Sequence, residues 1–149
     1  MKASGSPPSS WFIVRRILAL LVGALFVYAG VVKLLDPLHF ATEIDNYHLV
    51  SWPIAVRLAF YLPWLELLVG LALILHRLFD GAVALTTTLM LGFIGASIVA
   101  KARGIDVSCG CFGTLSDSLS FTWHLVLDFV LLAILLFLWF RPRSAPLPA

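Results

Sequence analysis

Charge is what this sequence has least of. Ten Lys and Arg and eight Asp and Glu make up 12% of 149 residues, against 61% hydrophobic residues and a mean hydropathy of +1.02. So little polar surface cannot coat a water-soluble core, which places the chain among membrane proteins. The net charge of +2 is not gathered into a patch, and nucleic-acid binding is set aside as a function class. The chain has no internal repeat. Its low-complexity segments are the Ser/Pro-rich ends, and the expected organisation is a disordered tail over residues 1–10, one membrane domain over 11–141 and a second disordered tail over 142–149.

Cysteine is scarce as well. The two in the chain, Cys109 and Cys111, stand on either side of Gly110 in a polar stretch between apolar runs. A closed zinc site needs four ligands, and two thiolates with His124 fall short of it, so no metal is expected. A relay between two dithiols within the chain is excluded by the same count.

What is present is a series of long apolar runs. Residues 17–35 follow Arg15 and Arg16, and about 19 residues of helix cover roughly 28 Å, enough to cross a bilayer. Val27-Tyr28-Ala29 could pass for a cleavage site, but the run continues to Asp36-Pro37, so an uncleaved span is expected. Residues 36–52 are acidic and aromatic and read as an interfacial loop. A second run covers 53–75, with Pro63 inside it as an expected kink. A turn at 78–81 leads to a third run, 82–100, and a fourth covers 121–140. Gly92 and Ala96 on the third run read as a close-packing face, and Ala19, Gly23 and Gly30 offer a similar seam on the first. The expected fold class is all-α, an integral membrane four-helix bundle.

Basic residues orient it. Lys2, Arg15, Arg16, Arg77, Arg141 and Arg143 fall on one side, with only Lys101 and Arg103 in the loops opposite, so both termini are expected to be cytoplasmic. The cysteine loop then faces outward, into the periplasm of a bacterial inner membrane, where disulfides persist. A disulfide across a single glycine would be strained and easily reduced, which suits exchange rather than structural crosslinking. Two reduced thiols with no redox role are the plain alternative.

The chain resembles a known family at several points in order: Gly30-Val31-Val32-Lys33-Leu34-Leu35-Asp36-Pro37, then Phe40 and Ile44 to Tyr47, and Leu62-Pro63-Trp64-Leu65-Glu66 through Gly70. Arg103-Gly104, Cys109-Gly110-Cys111-Phe112-Gly113, Trp123 and Asp128 complete the pattern. Over residues 12–140 it is similar to the MauE/DoxX-like redox-associated membrane proteins. The resemblance implies a four-helix membrane protein of thiol-disulfide chemistry. The methylamine-utilisation member of that family is linked to maturation of a disulfide-rich periplasmic dehydrogenase subunit, alongside a thioredoxin-like partner.

Charges inside a bilayer are functional candidates because each is expensive to keep there. Counted along the helices, Glu66 and Asp128 fall roughly 12 and 10 Å below the outer surface, and could share a layer. His124 is one turn above Asp128. Lys33 is the obvious partner for Glu66, but the counted depths differ by several ångströms, and snorkelling to the surface is the cheaper arrangement for its ammonium. Arg57 is expected at the interface. These five residues are read as a proton path or as packing ion pairs. The functional expectation is exchange between Cys109/Cys111 and a periplasmic thioredoxin-like protein, with a quinone as an admissible electron acceptor. A non-enzymatic accessory protein and a small-molecule carrier are the rival classes.

Overall fold

The computed structural model describes residues 10–104 and 121–140, which form five α-helices. These are α1 (Ser10–Leu35), α2 (Pro37–Asn46), α3 (Trp52–Ile74), α4 (Phe79–Ala102) and α5 (Phe121–Phe140). Three are long and apolar enough to cross a membrane, over Phe12–Leu35, Trp52–Ile74 and Phe79–Ala102. Their outer faces carry exposed large apolar residues such as Leu21, Phe60, Leu68 and Leu91. Hydrocarbon, not water, is the solvent that suits such a surface.

Burial recurs at a spacing of three and four along each long helix. On α1 it falls at Ala19, Val22, Phe26, Ala29 and Lys33; on α3 at Ala55, Ala59, Pro63, Glu66, Gly70 and Leu73. On α4 the buried set includes Val83, Thr86, Met90, Ile94 and Ser97, and on α5 Asp128, Leu131, Leu135 and Leu138. This is the seam of helices packed at a shallow angle. Lys33, Glu66 and Asp128 therefore sit at positions that an aliphatic residue would otherwise fill.

The tightest pairing is α1 along α3, and glycine permits it. A Cβ on Gly23 would lie 2.8 Å from the Gly70 carbonyl oxygen, and one on Gly70 would lie 2.7 Å from that of Gly23. One heptad on, a Cβ on Gly30 would lie 2.8 Å from the Pro63 carbonyl oxygen. The two backbones touch there, as small residues allow in membranes. Meanwhile α4 packs along α5, and α3 joins the two pairs. α3 runs through Pro63 as one continuous helix.

Three expectations need correction. Residues 36–52 are not simply a loop, since Pro37–Asn46 form α2. Asp36 caps it, accepting from the His39 amide at 3.0 Å, and Pro37 occupies the first turn, where its missing N–H leaves no bond unmade. Gly92 and Ala96 are not a close-packing face among the described residues: a Cβ on Gly92 would meet none of their atoms within 4 Å, and both residues line a cavity. The first helix also begins earlier than its apolar run, so Arg15 and Arg16 are helical.

At the opposite end from α2, the α3–α4 turn carries two left-handed non-glycine residues, His76 (φ 56°) and Leu78 (φ 49°). The His76 ring lies 4.4 Å from that of Phe79, and the Arg15 guanidinium lies over Phe79 at 4.6 Å. Burial, together with Arg16 and Arg15, holds the His76 pKa below its ordinary 6.5, against the opposing pull of Asp80.

Candidate functional site

Gly30 lets α1 press onto α3 at Pro63, and one turn later the stem of Lys33 comes down beside Glu66. The Lys33 Nζ donates to Glu66 Oε1 at 2.6 Å, with the two side chains only 2% and 1% exposed. Two rings close around the ammonium, Phe40 of α2 at 4.9 Å and Phe93 of α4 at 4.8 Å from their centroids. Carboxylate and aromatic faces together replace the water that this cation gives up. Lys33 does not snorkel: α2 folds back over it and Phe40 stands in its way. The second Glu66 oxygen, Oε2, makes no hydrogen bond among the described residues.

α2 and the turn after it add a second polar group of residues. Phe40, Ala41 and Glu43 are the buried face of α2, and the Glu43 carboxylate lies 3.4 Å from Nε2 of exposed His39. Tyr47, at the end of α2, bonds to Ser97 of α4. Burial raises the Tyr47 pKa above its ordinary 10, and the charges of Glu43 and Asp128 push the same way while the Ser97 bond opposes them. Asp128, buried on α5, thus acts on the same phenol as Glu43 on α2.

Between α2, α3 and α4 lies a cavity of about 250 Å³. Phe40, Glu43 and Ile44 of α2, and Tyr47, Leu49 and Val50 of the turn, form one side. Leu58 and Leu62 of α3 and Thr88, Leu89, Gly92, Phe93 and Ala96 of α4 form the rest. The wall is almost wholly apolar, and Phe40 and Phe93 divide their contacts between it and the Lys33 ammonium.

Of the residues singled out in the sequence, the structure joins Lys33 to Glu66 and brings Asp128 within electrostatic reach of Tyr47. Arg57 is exposed on α3. Cys109, Cys111 and the His124 side chain lie outside the described residues. The chain leaves α4 beside the α2–α3 turn, where Arg103 donates to the His48 carbonyl at 2.9 Å and Gly104 turns left-handed. Among the described residues no three His, Cys, Asp or Glu side chains are grouped as metal ligands.

Glu43, Tyr47, Phe93 and Ser97 were not legible as site residues. Asp36-Pro37 was the available signal, an N-cap followed by proline, and it would have turned residues 37–46 into a helix with Phe40, Ala41 and Ile44 on its inner side.

An all-helical membrane protein with an ion pair sealed between its helices, and an apolar cavity beside it, is the class these features define. The chain belongs to a known family within that class: the family model described as methylamine utilisation protein MauE matches residues 11–141. Searches of curated proteins and of solved structures returned no match.

Proposed function

We propose that the protein is a bacterial inner-membrane partner in thiol-disulfide chemistry. In this reading four helices span the membrane, both termini are cytoplasmic, and Cys109 and Cys111 face the periplasm. The pair exchanges with a thioredoxin-like protein: a partner dithiol attacks the Cys109–Cys111 disulfide, leaving a partner disulfide and two thiols on this chain. Reoxidation of those thiols releases two electrons and two protons, which convert a membrane quinone to quinol. One observation carries the reading. The only two cysteines of a membrane-embedded chain stand one residue apart, in a polar segment between the apolar runs of α4 and α5.

The scarcity of cysteine favours a second reading. With no second dithiol to relay electrons, the chain would serve as an accessory factor in methylamine utilisation, docking a periplasmic redox protein during its maturation. Trapping separates the two. Cys109→Ser and Cys111→Ser, made singly, leave one thiol that cannot resolve a mixed disulfide, and one of them is expected to accumulate a covalent adduct with a thioredoxin-fold protein. Full complementation of a deletion by both variants, with no adduct in either, would rule out exchange.

A further inference from the structure

The cavity beside the ion pair is space that the described residues leave unfilled. Its volume of about 250 Å³ exceeds the roughly 150 Å³ that suffices to take up benzene in an engineered core. It has room for one substituted ring. Leu62 lies ten residues into α3, about 15 Å along the helix, so the cavity reaches well into the bilayer and its natural supply of ligand is the membrane.

Two features separate it from a gap closed by lipid tails. Its lining is apolar except for Thr88, whose hydroxyl is spent on the Ala84 carbonyl, buried Glu43 and Tyr47, whose phenol bonds to Ser97; the last two are groups that an acyl chain has no use for. Gly92 lines it, and among the described residues nothing lies within 4 Å of where a Cβ would stand. Alanine would serve α4 better there, and no described helix approaches to require glycine. Small size at that position suits an occupant.

We infer that this cavity is a binding site for the head ring of a lipid-soluble quinone or quinol. Tyr47 is the donor for a ring carbonyl and Glu43 the acceptor for a quinol hydroxyl, while Phe93 and the aliphatic residues enclose the ring. The inference rests on the reading of the protein as a redox partner and adds the place where the membrane carrier sits. A carrier of this class is apolar enough to arrive through the bilayer and accepts the two electrons that one dithiol releases.

The test uses the purified full-length protein in lipid nanodiscs and a photoreactive azido-ubiquinone with a short tail. Labelling is expected on residues 40–50 and 88–96, and unlabelled decylubiquinone is expected to suppress it. Gly92→Leu, which adds a bulky side chain at a residue lining the cavity, should lower labelling by roughly tenfold or more. Gly95→Leu, on an exposed face with the same open surroundings, should leave it unchanged. Tyr47→Phe, which fills no space, should weaken competition by decylubiquinone. Equal labelling of wild type and Gly92→Leu would overturn the site, as would label spread over the lipid-facing residues or displaced equally well by added phospholipid. Binding is read without turnover, so the two proposals fail separately. Labelling without any trapped partner counts against thiol exchange alone, and a trapped partner without labelling counts against the cavity alone.

Discussion

The Lys33 ammonium and the Glu66 carboxylate meet at 2.6 Å across the α1–α3 contact, each shut off from its surroundings and each on a different membrane-spanning helix. Removing one partner leaves the other charge buried and uncompensated. Glu66→Gln or Lys33→Met is expected to destabilise the fold by about 3–5 kcal/mol, whereas the double variant recovers a large part of that loss. Unfolding titrations in mixed micelles measure the cycle. A double variant as unstable as the sum of the singles would show that the two residues act independently.

Glycine should divide into two kinds in this protein. Gly23→Ala and Gly70→Ala place a methyl within 2.8 Å and 2.7 Å of a facing carbonyl oxygen, so the helices must part, at about 1–3 kcal/mol. Gly92→Ala meets nothing within 4 Å among the described residues and should instead gain up to about 1 kcal/mol of helix stability. Thermal unfolding of the three variants side by side reads the contrast.

Tyr47 offers a pH readout of the polar residues under α2. Its phenol ionises above the ordinary 10, so between 10 and the raised value the unfolded chain has lost a proton that the folded chain keeps. Stability should fall as pH rises through that window. Glu43→Gln removes one charge that raises the value and should bring the transition down, whereas Ser97→Ala should take it further up. Ultraviolet difference titration of phenolate follows both, with Tyr47→Phe identifying the signal.

At the other end of the helices the sign is reversed. His76 titrates below 6.5 in the folded chain, so below 6.5 the unfolded chain binds a proton that the folded chain binds less readily. Stability is expected to fall as pH drops from about 7 to about 5, the range in which imidazole takes up its charge. His76→Gln should flatten that dependence. Melting temperature against pH, with and without the substitution, decides it.

The apolar runs revealed the helices because hydropathy reports burial in lipid directly, and the expected 53–75 became Trp52–Ile74 with little change. The start of α1 was missed because Arg15 and Arg16 end the apolar run without ending the helix. The Lys33–Glu66 pair was visible as two charges, but counting depth along single helices could not show it. The pair depends on the Gly30 contact that sets α1 against α3 and on Phe40 of α2 covering Lys33, and both are tertiary facts. The cavity was hidden for a related reason. Gly92 and Ala96 have the spacing of a contact face, and that spacing is the same whether a helix or a ligand lies opposite.

The pair also bears on how the chain enters the membrane. Glu66 lies near the middle of α3, where an isolated acidic residue costs about 3 kcal/mol to insert. Synthesis delivers α1 first, with Lys33 in its last turn, near enough to the headgroups to keep its ammonium hydrated until α3 arrives. The acidic helix then finds its countercharge already waiting, and membrane integration of α3 becomes conditional on α1. Insertion of α3 measured by glycosylation tags should drop when Lys33→Leu is introduced upstream, although α3 itself is unaltered.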